Sequence, residues 1–191
     1  MLRRRTLSLV IILAVGPAMA EELQLEELMK TLSRNSQQSA TFVEKRYLRV
    51  LNEPLESSGE LSFVPPNHLE KRTFKPKTES VIVDGDILTV ARSGPNALHY
   101  RLQEHPEISA FVESIRGTLA GDQTALEKVY QLTLSGSFER WRLLLVPRQK
   151  ELARIVSRIG ISGSHSELTT IEFDFEDGDH AEMTIAAVQG Q

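Results

Sequence analysis

The 191-residue chain contains no cysteine. That excludes disulfides, cysteine metal sites and a thiol nucleophile. It also excludes a lipid-modified cysteine, so the chain is not itself a lipoprotein. Aromatic residues are scarce, at 6% with one tryptophan. Any apolar binding surface therefore rests on aliphatic contacts, which suit flexible alkyl chains better than a planar cofactor. Positive charge is not in excess either, with a formal net charge of −4. Such a balance argues against nucleic acid as a partner. No apolar run reaches spanning length. The longest, Leu7 to Val15, follows Arg3-Arg4-Arg5 and precedes Ala18-Met19-Ala20. A basic start, a short apolar core and a small-x-small site read as a secretion signal over residues 1–20. Its removal takes away three arginines and no acid, moving the formal charge from −4 to −7. The expectation is one exported domain over 21–191, in the periplasm of a Gram-negative cell.

Reactive chemistry is thinly represented. The histidines (His68, His99, His105, His165 and His180) stand singly, with no pair at metal-ligand spacing. Gly160-Ile161-Ser162-Gly163-Ser164 has part of a nucleophile-elbow pattern, but serine stands where the second glycine of that pattern belongs. Gly160 to Ser166 is expected to be a flexible turn. The acidic run Asp174 to Asp179 lacks calcium-loop spacing and reads as a hairpin with solvated acids. No catalytic residue, metal or cofactor is expected.

What the chain has in quantity is strand pattern. Leu23 to Ser33 comes first, with Leu25, Leu28, Met29 and Leu32 on one helical stripe. A polar connector, Asn35 to Ser39, follows. Thr41 to Leu48, Ser58 to Pro66, Leu69 to Phe74, Val81 to Val83, Ile87 to Val90 and Ala97 to Leu102 then read as strands. Turns separate them at Asn52-Glu53-Pro54, Pro65-Pro66-Asn67, Asp84-Gly85 and Ser93-Gly94-Pro95-Asn96. Turns this short force an antiparallel meander. At His105-Pro106 the pattern becomes helical, and Ile108, Phe111, Val112, Ile115 and Leu119 line one face. Gly121-Asp122 ends that helix and caps a second, carrying Leu126, Val129 and Tyr130. Strands resume at Leu132 to Leu134. Gly136 turns the chain into Phe138 to Val146, and Pro147 to Lys150 forms a polar bend with one helical turn. Leu152 to Ile161, Leu168 to Glu176 and Glu182 to Val188 complete the set, and Gln-Gly-Gln frays. The fold class is mainly β (α+β), with one curved antiparallel sheet forming an incomplete barrel. The mid-chain helices are placed to lie across its open face, and Gly117 and Gly121 lean toward mobility there. The Pro106 helix serves equally as a core helix or as a lid.

The order of elements carries a resemblance. Together with Phe42-Val43-Glu44-Lys45, Gly59-Glu60-Leu61-Ser62-Phe63, Pro66-Asn67-His68-Leu69 and Val83-Asp84-Gly85, it is similar to the LolA family. These are periplasmic carriers that take lipoproteins to the outer membrane, and the similarity runs from about Leu23 to Val188. The resemblance implies a half-open barrel, a helical lid and an apolar cavity that shields acyl chains, without cofactor or catalysis. It implies acylated lipoprotein or lipid cargo, an inner-membrane release complex, an outer-membrane receptor and a monomeric carrier. Candidate cavity residues are Phe42, Leu61, Phe63, Val83, Leu88, Phe111, Ile115, Trp141, Leu143, Phe173 and Phe175. The lid would carry Ile108, Phe111, Val112, Ile115 and Leu119. Family members have an arginine before the proline of the turn after the Gly59-to-Phe63-like strand, and it holds the lid shut. Here that position is Pro65, so the lock is missing or rebuilt; Lys71 or Arg72 could substitute, but both read better as solvated strand residues. Two rival roles remain open: a lipid-sensing regulatory or scaffold protein, and an envelope lipid hydrolase using Ser162.

Overall fold

The computed structural model describes residues 23–34, 38–92 and 96–188. The expected secretion signal, the connector at 35–37, the turn at 93–95 and the Gln-Gly-Gln end lie outside the described residues. Helix α1 (Leu25–Leu32) is followed by strands β1 (Gln38–Tyr47), β2 (Leu55–Val64), β3 (His68–Lys75), β4 (Glu79–Asp84), β5 (Ile87–Arg92) and β6 (Ala97–Arg101). A 3₁₀ turn (Leu102–Glu104) leads into helices α2 (Pro106–Ala120) and α3 (Gln123–Val129). Strands β7 (Tyr130–Ser137) and β8 (Arg140–Pro147), helix α4 (Lys150–Ala153), and strands β9 (Val156–Ser164), β10 (Glu167–Phe175) and β11 (His180–Ala187) complete the order.

All eleven described strands form one antiparallel sheet, in the order β6-β5-β4-β3-β2-β1-β11-β10-β9-β8-β7. Two meanders are joined where β1 pairs with β11, from Ala40 opposite Ala187 to Tyr47 opposite His180. The edges β6 and β7 do not pair, so the sheet is not closed. The chain passes from one edge to the other through α2 and α3. This fixes why those helices sit at the seam: they are the covalent connection across it.

The core is uneven. Strands β7–β11 pack apolar side chains solidly, with Trp141, Leu143, Leu145, Ile159, Ile161 and Ile171 essentially without exposure. These cluster with Leu28 and Leu32 of α1 and Leu126 of α3. Against the other half of the sheet, Val83, Leu88, Leu102 and Val112 form a separate small cluster, and Phe111 touches both. A packed half and a loosely covered half result.

Several expected boundaries move. Leu152 belongs to α4, where it is buried, and the next strand starts at Val156. Gly136 lies inside β7, and the turn comes at 138–139. The segment Gly160 to Ser166 is not a flexible turn. Gly160 and Gly163 stand inside β9, paired across to β8 and β10. A Cβ at Gly163 would sit 2.2 Å from the Trp141 ring, and one at Gly160 would sit 2.8 Å from the Arg142 guanidinium. Gly117 and Gly121 are likewise taken up by packing. Leu126 of α3 closes on Gly117, and Gly121 ends α2 at φ +65 against the backbone of α1.

Candidate functional site

Antiparallel register sets side chains on the concave face in rows. Phe63, Leu69, Val83 and Leu88 stand abreast across β2–β5. The next row holds Leu61, Lys71, Val81 and Val90, and the third holds Gly59, Thr73, Glu79 and Arg92. The wall is therefore apolar at one end and polar at the other.

Helix α2 lies over the apolar end. Pro106 occupies its first turn, and Gly121 closes it in the left-handed conformation. Asp122 then caps α3, its carboxylate accepting from the Ala125 N–H at 2.9 Å. Between α2 and the sheet lies a cavity of about 710 Å³, a size typical of small-ligand pockets. All five expected lid residues, Ile108, Phe111, Val112, Ile115 and Leu119, line it from the helix side. From the sheet side come Leu61, Phe63, Leu69, Val81, Val83 and Leu88, and from β10 and β11 come Ile171, Met183 and Ile185.

The other expected cavity residues lie elsewhere. Trp141 and Leu143 are fully buried in the packed half, and the Trp141 indole N–H donates to the His165 carbonyl at 2.9 Å. Phe173 is buried with its ring 4.5 Å from that of Phe111. Phe42 is buried beneath the Lys71 ammonium, 4.8 Å from its ring centre, and Phe175 is half-buried against the core. These five are not among the residues that line the cavity. Their alternation looked the same in sequence, because core-facing and cavity-facing positions share one period.

Helix α2 is held down by polar ties that sequence reasoning missed. Arg116 is 9% exposed. It donates to the Gly85 carbonyl at 2.9 Å and the Asn67 carbonyl at 3.3 Å, in the β4–β5 and β2–β3 turns. Glu113, one turn back, pairs with it at 3.1 Å. The Tyr130 hydroxyl donates to the Ala110 carbonyl at 2.6 Å, and burial raises its pKa well above the usual phenol value. Neither Lys71 nor Arg72 replaces the missing arginine. Arg72 pairs with Glu70, and Lys71, which lines the cavity, pairs with Glu44. The signal for Arg116 was present, since it falls four residues after Val112 on the apolar stripe.

Ser162 lies within β9 opposite Arg142, not on an exposed turn. Among the described residues, no group of three His, Asp or Glu side chains is placed to hold a metal ion. No described helix is long and apolar enough to cross a membrane. The acidic run is absorbed locally. Asp174 pairs with Arg158 and His180, and Asp177 and Asp179 accept from Arg49.

Comparison with curated proteins gives no significant match. Among solved structures, the chain is similar to a LolA superfamily protein from Nitrosomonas europaea. The identity is 7%, over 88% of this chain and 95% of that one, at a TM-score of 0.45. It is also similar to a chain of the Pseudomonas aeruginosa MucA/MucB complex. There the identity is 13%, over 87% of this chain and 59% of that one, at a TM-score of 0.41. With scores below 0.5, neither likeness bears on function. The family model is of a different order. The one described as outer membrane lipoprotein carrier protein LolA-like matches residues 17–190, nearly the whole chain. The chain belongs to the LolA-like family of outer membrane lipoprotein carrier proteins.

Proposed function

We propose that the protein is a non-enzymatic carrier that shelters acyl chains in the cavity under α2. It would act in the periplasm, on lipoproteins or other lipids moving toward the outer membrane. The single observation behind this is the cavity of about 710 Å³ bounded by the α2 stripe and the first two rows of the sheet. A buried CH₂ is worth about 0.8 kcal/mol, so a chain of about sixteen carbons in water costs on the order of 13 kcal/mol. Its unaided escape from a membrane is correspondingly slow. A flexible aliphatic lining recovers much of that without demanding one chain geometry. Release requires the cover to move, and α2 is the element whose removal opens the cavity. Among the described residues its polar ties reach the turns and Tyr130, and Ala110 and Leu119 pack into the larger core, so lifting it gives up those contacts.

The test is transfer of a fluorescent acyl probe between donor and acceptor vesicles separated by the protein. A carrier raises the transfer rate in proportion to its concentration. Tight probe binding without transfer, together with a stable protein complex, would instead favour the sensing or scaffold role. Ester turnover abolished by Ser162→Ala would favour a hydrolase.

A further inference from the structure

The size of the cavity limits what it can shelter. A methylene group takes up about as much space as a water molecule, on the order of 30 Å³. A cavity of about 710 Å³ therefore has room for roughly two dozen carbons. That figure is a ceiling. Arg46, Glu70, Lys71 and Glu167 also line the cavity, and charged groups keep water or a polar head beside them.

With α2 seated, the surroundings have little room to lend. Toward the packed half the way is closed by Phe111 and Phe173, whose rings lie 4.5 Å apart. The core to which Phe173 belongs is solid, with Leu143 and Leu145 fully buried. A Cβ at Gly117 would meet Leu126 of α3 at 2.8 Å, and one at Gly121 would meet the Met29 carbonyl of α1 at 2.1 Å. The C-terminal half of α2 is thus packed directly on α3 and α1 and cannot shift toward either. Along the sheet, the wall turns polar after the second row, at Thr73 and at Glu79 paired with Arg92 at 2.6 Å. An alkyl chain running further meets an ion pair in place of valine and leucine.

We propose that the cargo enclosed under α2 is a single-chain amphiphile of the lysophospholipid or fatty-acid class, because total tail carbon is limited to roughly two dozen. Two short chains fit the same space. Two chains of about sixteen carbons each exceed it by about a third, and the three chains of a fully acylated lipoprotein by about twofold. This rests on the carrier reading above and narrows its cargo.

Lipids that share one choline phosphate head isolate the effect of the tail. The protein is incubated with lysopalmitoyl, dilauroyl or dioleoyl phosphatidylcholine, and bound lipid is counted by native mass spectrometry. One lysopalmitoyl or one dilauroyl lipid per protein is expected. Dioleoyl lipid should bind at least about tenfold more weakly, since leaving two methylenes in water already costs about that factor. Filling the cavity tests the same limit from the other side. Ala40 and Ala187 both line it, face each other across β1 and β11, and are not buried. Ala40→Leu/Ala187→Leu takes away space for about six carbons. It should weaken dilauroyl binding at least about tenfold and leave lysopalmitoyl binding unchanged. Dioleoyl lipid bound as tightly as dilauroyl, or two lysopalmitoyl lipids per protein, overturns the limit while the carrier reading stands. Dilauroyl binding that survives the double variant overturns it as well, as does an equal loss of both lipids. The three lipids in the unaltered protein decide the matter even if the double variant fails to fold. Failure of all three to bind overturns the acyl cavity and the limit together.

Discussion

Arg116 shows how one side chain can decide whether a helix is core or cover. Its guanidinium reaches from α2 to two carbonyls that belong to turns, Asn67 and Gly85, while its Nε has no protein partner. A buried cation held this way is a tie that can break when water reaches it. Arg116→Met should remove the tie and keep the stem's packing, lowering stability by about 1–3 kcal/mol. Amide exchange in α2 should quicken while β8–β10 stay protected. Unchanged exchange in α2 would remove the tie from the account. Gly163 makes the opposite kind of prediction. Gly163→Ala drives a methyl into the Trp141 ring and should cost about 1–3 kcal/mol in urea unfolding, without altering probe affinity in the protein that remains folded. A third residue sets acid sensitivity. Burial opposes ionisation of Asp174, but hydrogen bonds from Arg158 and His180 outweigh it and hold the carboxyl below its usual value. A depressed carboxyl contributes stability above its unfolded pKa, and that is lost as pH falls through the folded one. Asp174→Asn should therefore flatten the loss of stability below about pH 4, measured as melting temperature against pH.

At the scale of elements, α2 is where the carrier reading is most exposed to refutation. Phe111 lines the cavity and also stacks near Phe173. Phe111→Asp should abolish acyl-probe binding in a protein whose far-UV circular dichroism is unchanged. Global unfolding would mean that α2 is an ordinary core helix. Element order was readable from turn chemistry and period alone, down to the Asp122 cap and the Gly121 stop. Boundaries were less so, for stated reasons. Gly163 looks like a turn residue until Trp141 is seen lying against it, and Gly160 until the Arg142 side chain is. Leu152 fits either period, and only α4 burying it on a single helical turn settles the matter. The site was half legible. The α2 stripe and the Leu61, Phe63, Val83 and Leu88 positions reach the cavity, whereas Trp141, Leu143 and Phe173 fill the packed half. Nothing in a single sequence distinguishes the two halves of a sheet with one alternation. Lys71 was hidden for the opposite reason: a charged residue on a strand reads as solvated until register places it inside.

For the whole molecule, the consequence of topology is a sheet whose two edges are bridged only by α2 and α3. One half is packed by its own side chains together with α1 and residues of α2, α3 and α4, and the other is covered by α2 over a hollow. The carrier reading requires α2 to move without the fold coming apart. The central claim is that the hollow holds alkyl chains. Mass spectrometry of lipids extracted from protein purified out of the periplasm tests it most directly. The account predicts acylated species in molar amounts approaching that of the protein, falling sharply in Phe111→Asp. Repeated extractions free of acylated species, from a protein that also fails to take up added decanoate or decanol, would contradict it.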